Sequence, residues 1–247
     1  TTFNMGGTLT LSSLANFNRA AGSTVNLTGT LDLGGSSLEI GSAGIFGAGG
    51  LNSLTGTIKN GTINSAAGNT LSSAGTGTLD NITIGTNLTF SNNSFGIYNG
   101  LKLANGITVN KGSSYFYFYG NQSIAPVNAG DTATLTQSGG VMYVATGGTG
   151  QTLTLAQSIT LQGNGSINNY YGGTFVNNGA VNFTANSGLS LDGFTNNGTV
   201  TVSAGTTSLS AITATNNGMV RIASGGLLSL GGTTTFNSPG TGIDLQS

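Results

Sequence analysis

The chain has 247 residues, of which 36% are hydrophobic and only 4% are charged, and its formal net charge is −1. The five basic residues are scattered, so we expect no nucleic-acid partner, and the apolar runs are too short to span a bilayer, so we expect no direct membrane insertion. Because the sequence contains no cysteine and no histidine, it excludes disulfides, thiol nucleophiles, Ser-His-Asp triads and histidine metal sites, and we expect no cofactor and no metal.

Residues 1–120 are predicted to form short strands. Runs of alternating apolar and polar side chains are separated by glycine and asparagine, and no stretch of ten residues has a helical period. Examples are residues 9–11, 25–27, 38–40, 82–84 and 101–103. We interpret this part as the less regular coils of a repeat.

Residues 121–150 interrupt the rhythm of short strands. They contain Pro126 and two glycine pairs, with strands predicted at residues 132–136 and 141–144. Proline cannot donate a backbone hydrogen bond to a sheet, and paired glycines favour turns. We therefore expect an irregular, loop-bearing coil here.

Residues 151–247 carry the most regular pattern in the chain. The triplet Asn-Asn-Gly occurs at residues 177–179, 196–198 and 216–218, so its two spacings differ by a single position. Aligning the triplets predicts two columns of inward side chains, namely Val181, Val200 and Val220, and then Phe183, Val202 and Ile222. We expect the stacking to finish near Pro239.

A second strand follows each triplet in the same alignment. Leu189 and Leu191 match Leu228 and Leu230 at identical offsets, whereas Leu209 falls one residue late. Each coil therefore contains at least two strands. We expect Asn-Gly pairs to adopt positive φ where the coil turns sharply.

The nearly constant period favours a stack of coils over an antiparallel meander. Asn-Gly also marks hairpin turns, which would suit an antiparallel meander, but equivalent positions here recur after a full period and are not mirrored. A single strand-turn unit cannot bury its own apolar face, so copies must stack. We predict an all-β fold: one parallel β-helix, or β-solenoid, over residues 1–247, with about twelve coils of ~20 residues.

The sequence resembles the repetitive passenger region of bacterial autotransporters and of filamentous-haemagglutinin-like, two-partner-secreted adhesins. The resemblance lies in residues 175–183 and 194–202, which contain Asn-Asn-Gly, and in the Gly-Gly-Thr-Leu-Thr-Leu opening at residues 6–11. It implies a right-handed parallel β-helix, export across a Gram-negative envelope, and an extracellular or bacterial cell-surface location. Adhesion is likewise what the resemblance implies.

Tyrosines mark the candidate binding residues. In the run of residues 115–119, inward Phe116 and Phe118 would leave Tyr115, Tyr117 and Tyr119 as an exposed stripe, suited to sugar rings or a protein partner. The alternative is a wide core layer whose tyrosines are covered by residues 121–150. A second candidate pair precedes the regular coils and comprises Tyr170 and Tyr171.

The acidic residues offer the main route to catalysis in this sequence. Paired carboxylates can hydrolyse polysaccharides, and Asp32 and Glu39 are close enough in sequence to meet across a turn. The other acids are separated by several coils and are expected to be solvated; they are Asp80, Asp131, Asp192 and Asp244. We expect the chain not to be an enzyme.

Thr-x-Thr pairs raise a further alternative, because stacked arrays of threonine on flat solenoids can bind ice. They occur at residues 8–10, 132–136, 152–154, 199–201 and 213–215. They are not expected to share one register, so we interpret them as ordinary outward-facing polar positions.

The two ends carry expectations about assembly. The chain begins at Thr1 without methionine, so we expect a processed or excised segment of a longer product. A β-helix exposes unpaired backbone and apolar core at each end, and neither residues 1–11 nor residues 233–247 offer a helical or charged cap. We expect neighbouring domains to continue the rod, or copies to associate end to end into a filament.

Three functions are therefore open. The first is a non-enzymatic structural or adhesive rod or filament subunit of a bacterial surface protein. The second is a carbohydrate- or matrix-binding module that uses the tyrosines, with a surface polysaccharide or a protein receptor as partner. The third is a β-helical polysaccharide-degrading enzyme.

Overall fold

The structure is a computed structural model that describes the chain except residues 67, 69, 92, 238–241 and 247. Pro239 therefore lies outside the described residues. Within the described part there is no α-helix, and a single 3-10 turn spans Ser12–Leu14. The rest of the regular structure consists of β-strands.

The strands of the first half are β1 Thr2–Met5, β2 Thr8–Thr10, β3 Thr24–Leu27, β4 Thr30–Asp32, β5 Ser37–Glu39, β6 Ser53–Leu54, β7 Thr57–Asn64, β8 Thr70–Ser72, β9 Thr76–Ile84, β10 Leu88–Ser91, β11 Ser94–Leu103, β12 Thr108–Gly112 and β13 Tyr115–Tyr119. The strands of the second half are β14 Gln122–Pro126, β15 Ala133–Val144, β16 Gln151–Leu155, β17 Ile159–Asn169, β18 Gly173–Asn177, β19 Ala180–Phe183, β20 Ser187–Asn196, β21 Thr199–Val202, β22 Gly205–Asn216, β23 Met219–Ile222, β24 Gly226–Phe236 and β25 Ile243–Leu245.

All strand pairings among the described residues are parallel, and most strands pair with their equivalents one coil before and one coil after. This confirms the predicted parallel β-solenoid. The structure has about 11 turns of ~21 residues, close to the predicted twelve coils of ~20. At ~4.8 Å per strand, the stack is about 50 Å long. Its sequence-equivalent positions form straight columns along the axis.

The strands form three faces, so a coil contributes a strand segment to each of the three. The sequence predicted at least two strands per coil. Face 1 comprises β2, β4, β13, the first halves of β7, β9, β11, β20, β22 and β24, and the second halves of β15 and β17. Face 2 comprises β5, β14, β16, β18 and the second halves of the strands that begin on face 1. Face 3 holds the remaining strands and the first halves of β15 and β17.

The core fills the space between the faces with stacked apolar columns. The two columns predicted from the triplets are confirmed, because Val181, Val200 and Val220 pair in register, as do Phe183, Val202 and Ile222. In earlier coils of the chain, Phe90, Phe95 and Phe116 pack edge to face with ring centroids 4.8–6.1 Å apart. Fully burying such rings is a main source of stability in a chain with few charges.

The two asparagines of each triplet have different roles. The first ones form a buried ladder, in which Asn177 Nδ2 donates to Asn196 Oδ1 at 2.8 Å and Asn196 Nδ2 donates to Asn216 Oδ1 at 2.7 Å. The second ones form an exposed ladder along the same corner, through Asn178, Asn197 and Asn217. Each coil is therefore tied to the next at this corner by both ladders.

The triplet glycines are required for a reason that differs from the predicted one. They have no positive φ; instead, a Cβ on Gly198 would lie 1.9 Å from the carbonyl oxygen of Gly179, and one on Gly218 would lie 2.0 Å from that of Gly198. Close approach of neighbouring coils thus excludes a side chain. Positive φ is found at other Asn-Gly pairs, including Asn60 and Asn99.

One detail of the sequence alignment is wrong, namely the match of Leu189 and Leu191 to Leu228 and Leu230. The one-residue offset of Leu209 is confirmed, because Leu209 pairs with Leu189. On its other side Leu209 pairs with Leu230, whereas Leu228 pairs with Thr207, so the last repeat is shifted by two residues from the predicted alignment. In this last coil Leu228 packs against the core, whereas Leu230 is 44% exposed.

The predicted Thr-x-Thr pairs are spread over all three faces and so do not share one register, although threonines from different coils do share some columns. On face 1, a single outward column contains Thr8, Thr30, Thr57 and Thr78. On face 3, the column of Thr134 passes through Thr160 and then Ala180 before it reaches Thr199. Since other residues interrupt these columns, the threonines do not extend as an unbroken array along the rod.

Residues 121–150 are incorporated into the stack. Gln122 pairs with Leu153, which makes this coil longer than the average of ~21 residues. β14 lies on face 2, and β15 turns from face 3 onto face 1. The segment therefore contributes strands to the faces and adds its own side chains to face 1.

Candidate functional site

Strand β13 positions the predicted tyrosine stripe. Successive side chains of a strand point to opposite faces, and Phe116 and Phe118 are fully buried. Tyr115, Tyr117 and Tyr119 consequently point outward on face 1.

Neighbouring coils bring the other tyrosines beside these three. Tyr98 pairs with Tyr119 from the preceding coil, and Tyr143 pairs with Tyr117 from the following coil. Tyr170 and Tyr171 come directly after β17, and the Tyr170 ring contacts Tyr117 and Tyr143. All seven tyrosines of the chain thus lie on one surface, which we name the tyrosine face: Tyr98, Tyr115, Tyr117, Tyr119, Tyr143, Tyr170 and Tyr171.

Two ring orientations occur in the tyrosine face. Tyr98 stacks on Tyr119 with centroids 4.3 Å apart and planes 7° apart, and Tyr117 stacks on Tyr143 at 5.0 Å and 15°. Tyr170 stands nearly perpendicular to its neighbours, at 85° to Tyr143 and 75° to Tyr171. The parallel rings therefore cover one another's faces, whereas Tyr170 and Tyr171 are oriented differently.

Exposure follows from these orientations. Tyr171 is 55% exposed, Tyr170 is 51% exposed and Tyr115 is 40% exposed, while Tyr117 and Tyr119 are half-buried. Residues 121–150 leave these side chains open and supply Tyr143 as a member of the face. The most accessible rings are thus the pair after β17.

The sequence did not identify Tyr98 and Tyr143 as site residues. Tyr98 lies one average coil before Tyr119, while Tyr143 lies more than one average coil after Tyr117 because the intervening coil is longer. A search for aromatic residues one coil apart would have found Tyr98. Tyr143 required the pairing register of β15.

The half-buried Tyr98 and Tyr117 stay uncharged at neutral pH. Burial raises the pKa of Tyr98, and the neighbouring Tyr119 and Asp80 add to this effect. Burial also raises the pKa of Tyr117, partly offset by a hydrogen bond with Ser94. Both hydroxyls therefore remain protonated and can donate as well as accept hydrogen bonds.

Carboxylates lie beside the tyrosine face. Asp80 pairs in register with Tyr98 and accepts a 2.6 Å bond from Asn99 Nδ2. Asp192 lies against Gly172, next to Tyr171, and accepts a 2.5 Å bond from Asn169 Nδ2. One coil beyond Asp80, Lys59 forms an ion pair with Asp32 at 3.3 Å.

Two open grooves adjoin the tyrosine face. One has a volume of about 350 Å³ and is lined by Tyr117, Tyr119, Tyr170, Tyr171 and Thr146 among others. The other has a volume of about 450 Å³ and is lined by Asn93, Ser94, Ser113, Ser114, Tyr115 and Tyr117. Tyr117 belongs to both grooves, so they flank it.

The carboxylates proposed for catalysis have separate partners. Backbone Gly34 and the side chains of Asn60 and Lys59 hold the pKa of Asp32 below its usual value. Glu39 accepts bonds at 2.8 Å from the backbone N–H groups of Gly41 and Ala66. Within the described residues, no group of three or more acids is arranged to hold a metal ion.

A buried cation that the sequence did not identify lies beneath the tyrosine face. Lys111 is fully buried and its Nζ donates to the carbonyl oxygens of Ser114 at 2.6 Å and Gly139 at 2.8 Å. Its ammonium lies 6.0 Å from the Phe116 ring, and burial lowers its pKa to about 8. Lys111 thus fixes the corner between β12 and β13.

Comparison with known proteins adds a family match for the last coils. Residues 171–232 match the haemagglutinin repeat family, and this segment begins at Tyr171 and contains all three Asn-Asn-Gly triplets. No curated protein and no solved structure gives a significant match. None of the described helical segments is long and apolar enough to cross a membrane.

The haemagglutinin repeat family is typically non-enzymatic and has an adhesin-like β-helical structural role in secreted or cell-surface proteins. The match covers about a quarter of the chain, and the same parallel coils continue through the preceding residues. With its β-solenoid fold, the chain fits a filamentous-haemagglutinin-like repeat region.

Proposed function

We propose that the chain is a non-enzymatic segment of a secreted or bacterial cell-surface adhesin, in which the solenoid is a stiff rod and the tyrosine face is the contact surface. The observation that carries this proposal is the collection of all seven tyrosines on one face, from positions 98 to 171 in the sequence. Tyrosine supplies a large apolar ring and a hydroxyl with little conformational entropy to lose on binding, which suits a recognition surface.

The rest of the rod supports a passive role. Its outward positions are mostly threonine, serine and asparagine, and only 4% of residues are charged. Such a surface offers few strong contacts of its own, so the tyrosine face differs clearly from its surroundings. The ladders at the Asn-Asn-Gly corner tie together the coils that follow the tyrosine face, and the parallel pairing of face 1 continues from the tyrosine face into those coils.

The experiment is a bead-adhesion assay. Beads coated with the wild-type chain are expected to adhere to cells or to polysaccharide-coated surfaces, and a Tyr117→Ser/Tyr170→Ser variant should lose most of this adhesion. Ile212→Ser is the matched control, because Ile212 is 69% exposed but lies outside the tyrosine face. Equal adhesion of all three proteins would contradict the proposal.

A second candidate function is a carbohydrate- or matrix-binding module. The two grooves beside Tyr117 favour it, because they combine aromatic rings with amide and hydroxyl side chains. Binding of isolated glycans in solution would favour this module, whereas adhesion without glycan binding would favour a protein receptor.

Self-association is a further proposal. Large apolar side chains are exposed around the last coils, including Leu227, Phe236 and Leu245. We propose that these side chains receive a coil of a second copy, end to end. Sedimentation over a range of concentrations should reveal elongated multimers, and a Leu227→Ser/Leu245→Ser variant should remain monomeric.

A further inference from the structure

One groove of the tyrosine face is lined mainly by aromatic rings. The groove bounded by Tyr117, Tyr119, Tyr170 and Tyr171 has a volume of about 350 Å³, within the range of roughly 300–1,000 Å³ that is usual for small-ligand sites. Thr146, at the side of the groove, adds a hydroxyl. The site therefore combines rings with hydrogen-bonding groups.

The ring orientations decide which residues can stack on a ligand. Tyr119 is covered by Tyr98 and Tyr117 is covered by Tyr143, so these rings contribute mainly edges and hydroxyls. Tyr170 and Tyr171 are more than half exposed and perpendicular to one another, at 75°. Their faces are the available platforms for the axial C–H groups of a sugar ring.

The adjoining groove supplies polar contacts on the other side of Tyr117. Asn93 and Ser113 are exposed there, and Ser94 lies within hydrogen-bonding reach of the Tyr117 hydroxyl. Amide and hydroxyl groups pair well with sugar hydroxyls because each can donate and accept. An elongated ligand can therefore occupy both grooves while it crosses Tyr117.

The charges beside the face select against anions. The flanking carboxylates are Asp80 and Asp192, and the nearest cation along the column, Lys59, is paired with Asp32. Lys111 is buried beneath the face with its donors directed to backbone carbonyls. A sulfated, sialylated or uronic-acid glycan would meet repulsion with no compensating cation.

We propose that the tyrosine face binds a neutral glycan chain, with one pyranose ring stacked on the face of Tyr170 and bordered by the nearly perpendicular Tyr171 ring, and with adjacent sugars hydrogen-bonded in the groove beyond Tyr117. This inference rests on the proposed adhesive function and specifies its ligand. Specificity arises from the absence of a free cation on the described part of the face and from the two flanking carboxylates.

The test uses the full chain with ¹³C-labelled tyrosine rings, whose seven signals are followed by NMR. Maltohexaose, cellohexaose and mannohexaose are the neutral probes, and hexagalacturonate is the acidic probe, all at low ionic strength. At least one neutral probe should shift the Tyr170 and Tyr171 signals and leave Tyr98 nearly unchanged. Hexagalacturonate should bind at least several-fold more weakly.

Variants separate stacking from charge. Tyr170→Ser should weaken neutral-glycan binding by about tenfold, while unchanged Tyr98 and Tyr119 signals report an intact fold. Ile212→Ser should bind as the wild type does. Asp192→Asn should strengthen hexagalacturonate binding a few-fold and leave the neutral probe unaffected.

The inference is overturned if no neutral probe shifts the tyrosine signals, if hexagalacturonate binds equally well, or if Tyr170→Ser retains full binding. These failures differ from failure of the adhesive function. If beads adhere through the tyrosine face but no glycan binds, the adhesive function stands and the neutral-glycan site is wrong. If a glycan binds but the beads do not adhere, the site stands and the adhesive rod is wrong.

Discussion

The buried asparagine ladder is expected to be a main tie between the regular coils, and Asn196→Ala tests this role. The Asn196 side chain is fully buried and takes part in three hydrogen bonds: it accepts from Asn177 Nδ2 at 2.8 Å and donates to Asn216 Oδ1 at 2.7 Å and to Met219 O at 3.2 Å. Alanine removes all three bonds and takes a hydrogen-bond partner from the buried side chains of Asn177 and Asn216.

The expected cost follows from these contacts. Each lost hydrogen bond accounts for about 0.5–1.5 kcal/mol, and a buried group left unpaired costs about 1–3 kcal/mol. We expect Asn196→Ala to lower the free energy of unfolding by about 3–5 kcal/mol, since some of these partners keep a second bond.

Asn197→Ala is the matched control, one residue away in the same triplet. Asn197 also forms two ladder bonds, with Asn178 and Asn217 at 2.8 Å each, but it is exposed, so water replaces them. We expect a loss of about 1 kcal/mol or less. Urea denaturation monitored by circular dichroism gives the free energy of unfolding of both variants. A loss for Asn196→Ala no greater than that for Asn197→Ala would refute the buried ladder as a main tie between coils.

Two further predictions concern the core and the triplet glycines. Burial lowers the pKa of Lys111 to about 8 from 10.5, so between these values the unfolded chain holds a proton that the folded chain has lost, and stability should rise by about 2–3 kcal/mol from pH 7 to 10. Lys111→Met should abolish that rise in urea titrations. The titrations stop at pH 10 because, above it, the raised pKa values of Tyr98 and Tyr117 make stability fall as the pH rises. An unchanged dependence of stability on pH in the variant would count against Lys111 as the source of the rise. Gly198→Ala should cost at least about 1–3 kcal/mol because its Cβ would lie 1.9 Å from Gly179 O, whereas Gly188→Ala, whose nearest neighbour is 3.6 Å away, should be nearly neutral in the same titrations.

The regular coils were predictable because their period is nearly constant. The almost equal spacing of the three triplets places Val181, Val200 and Val220 in one column without structural information. The alternation of residues 115–119 likewise predicts which of them point outward. Local pattern and fold agree at these positions.

The remaining features depend on coil length, which varies. The coil that joins Thr76 to its partner Ser94 is shorter than average, whereas the coil that joins Gln122 to its partner Leu153 is much longer than average. Sequence separation therefore does not reveal which side chains are neighbours across coils, and Tyr143 was missed for this reason.

The burial of Lys111 could not be predicted from the sequence for the same reason. Thr89 pairs with Asn110, so Lys111 follows the register of inward Phe90, and its position in the core is apparent only from that pairing. The different roles of the two asparagines in each triplet also depend on packing. Asn196, for example, is buried, whereas Asn197 at the next position is exposed.

One continuous solenoid gathers tyrosines from distant positions of the chain onto face 1. Thr57 and Ser210 lie in the same outward column, on either side of Tyr117 and Tyr143. Seven strand spacings separate them, so at ~4.8 Å each their Cα atoms should be about 34 Å apart.

Because the chain has no cysteine, Thr57→Cys and Ser210→Cys provide unique sites for spin labels. Pulsed electron–electron double resonance on the doubly labelled chain measures the separation between them. We expect one narrow distribution centred within a few ångströms of about 34 Å. A broad distribution, or a distance shorter by several strand spacings, would contradict the continuous column on which the tyrosine face depends.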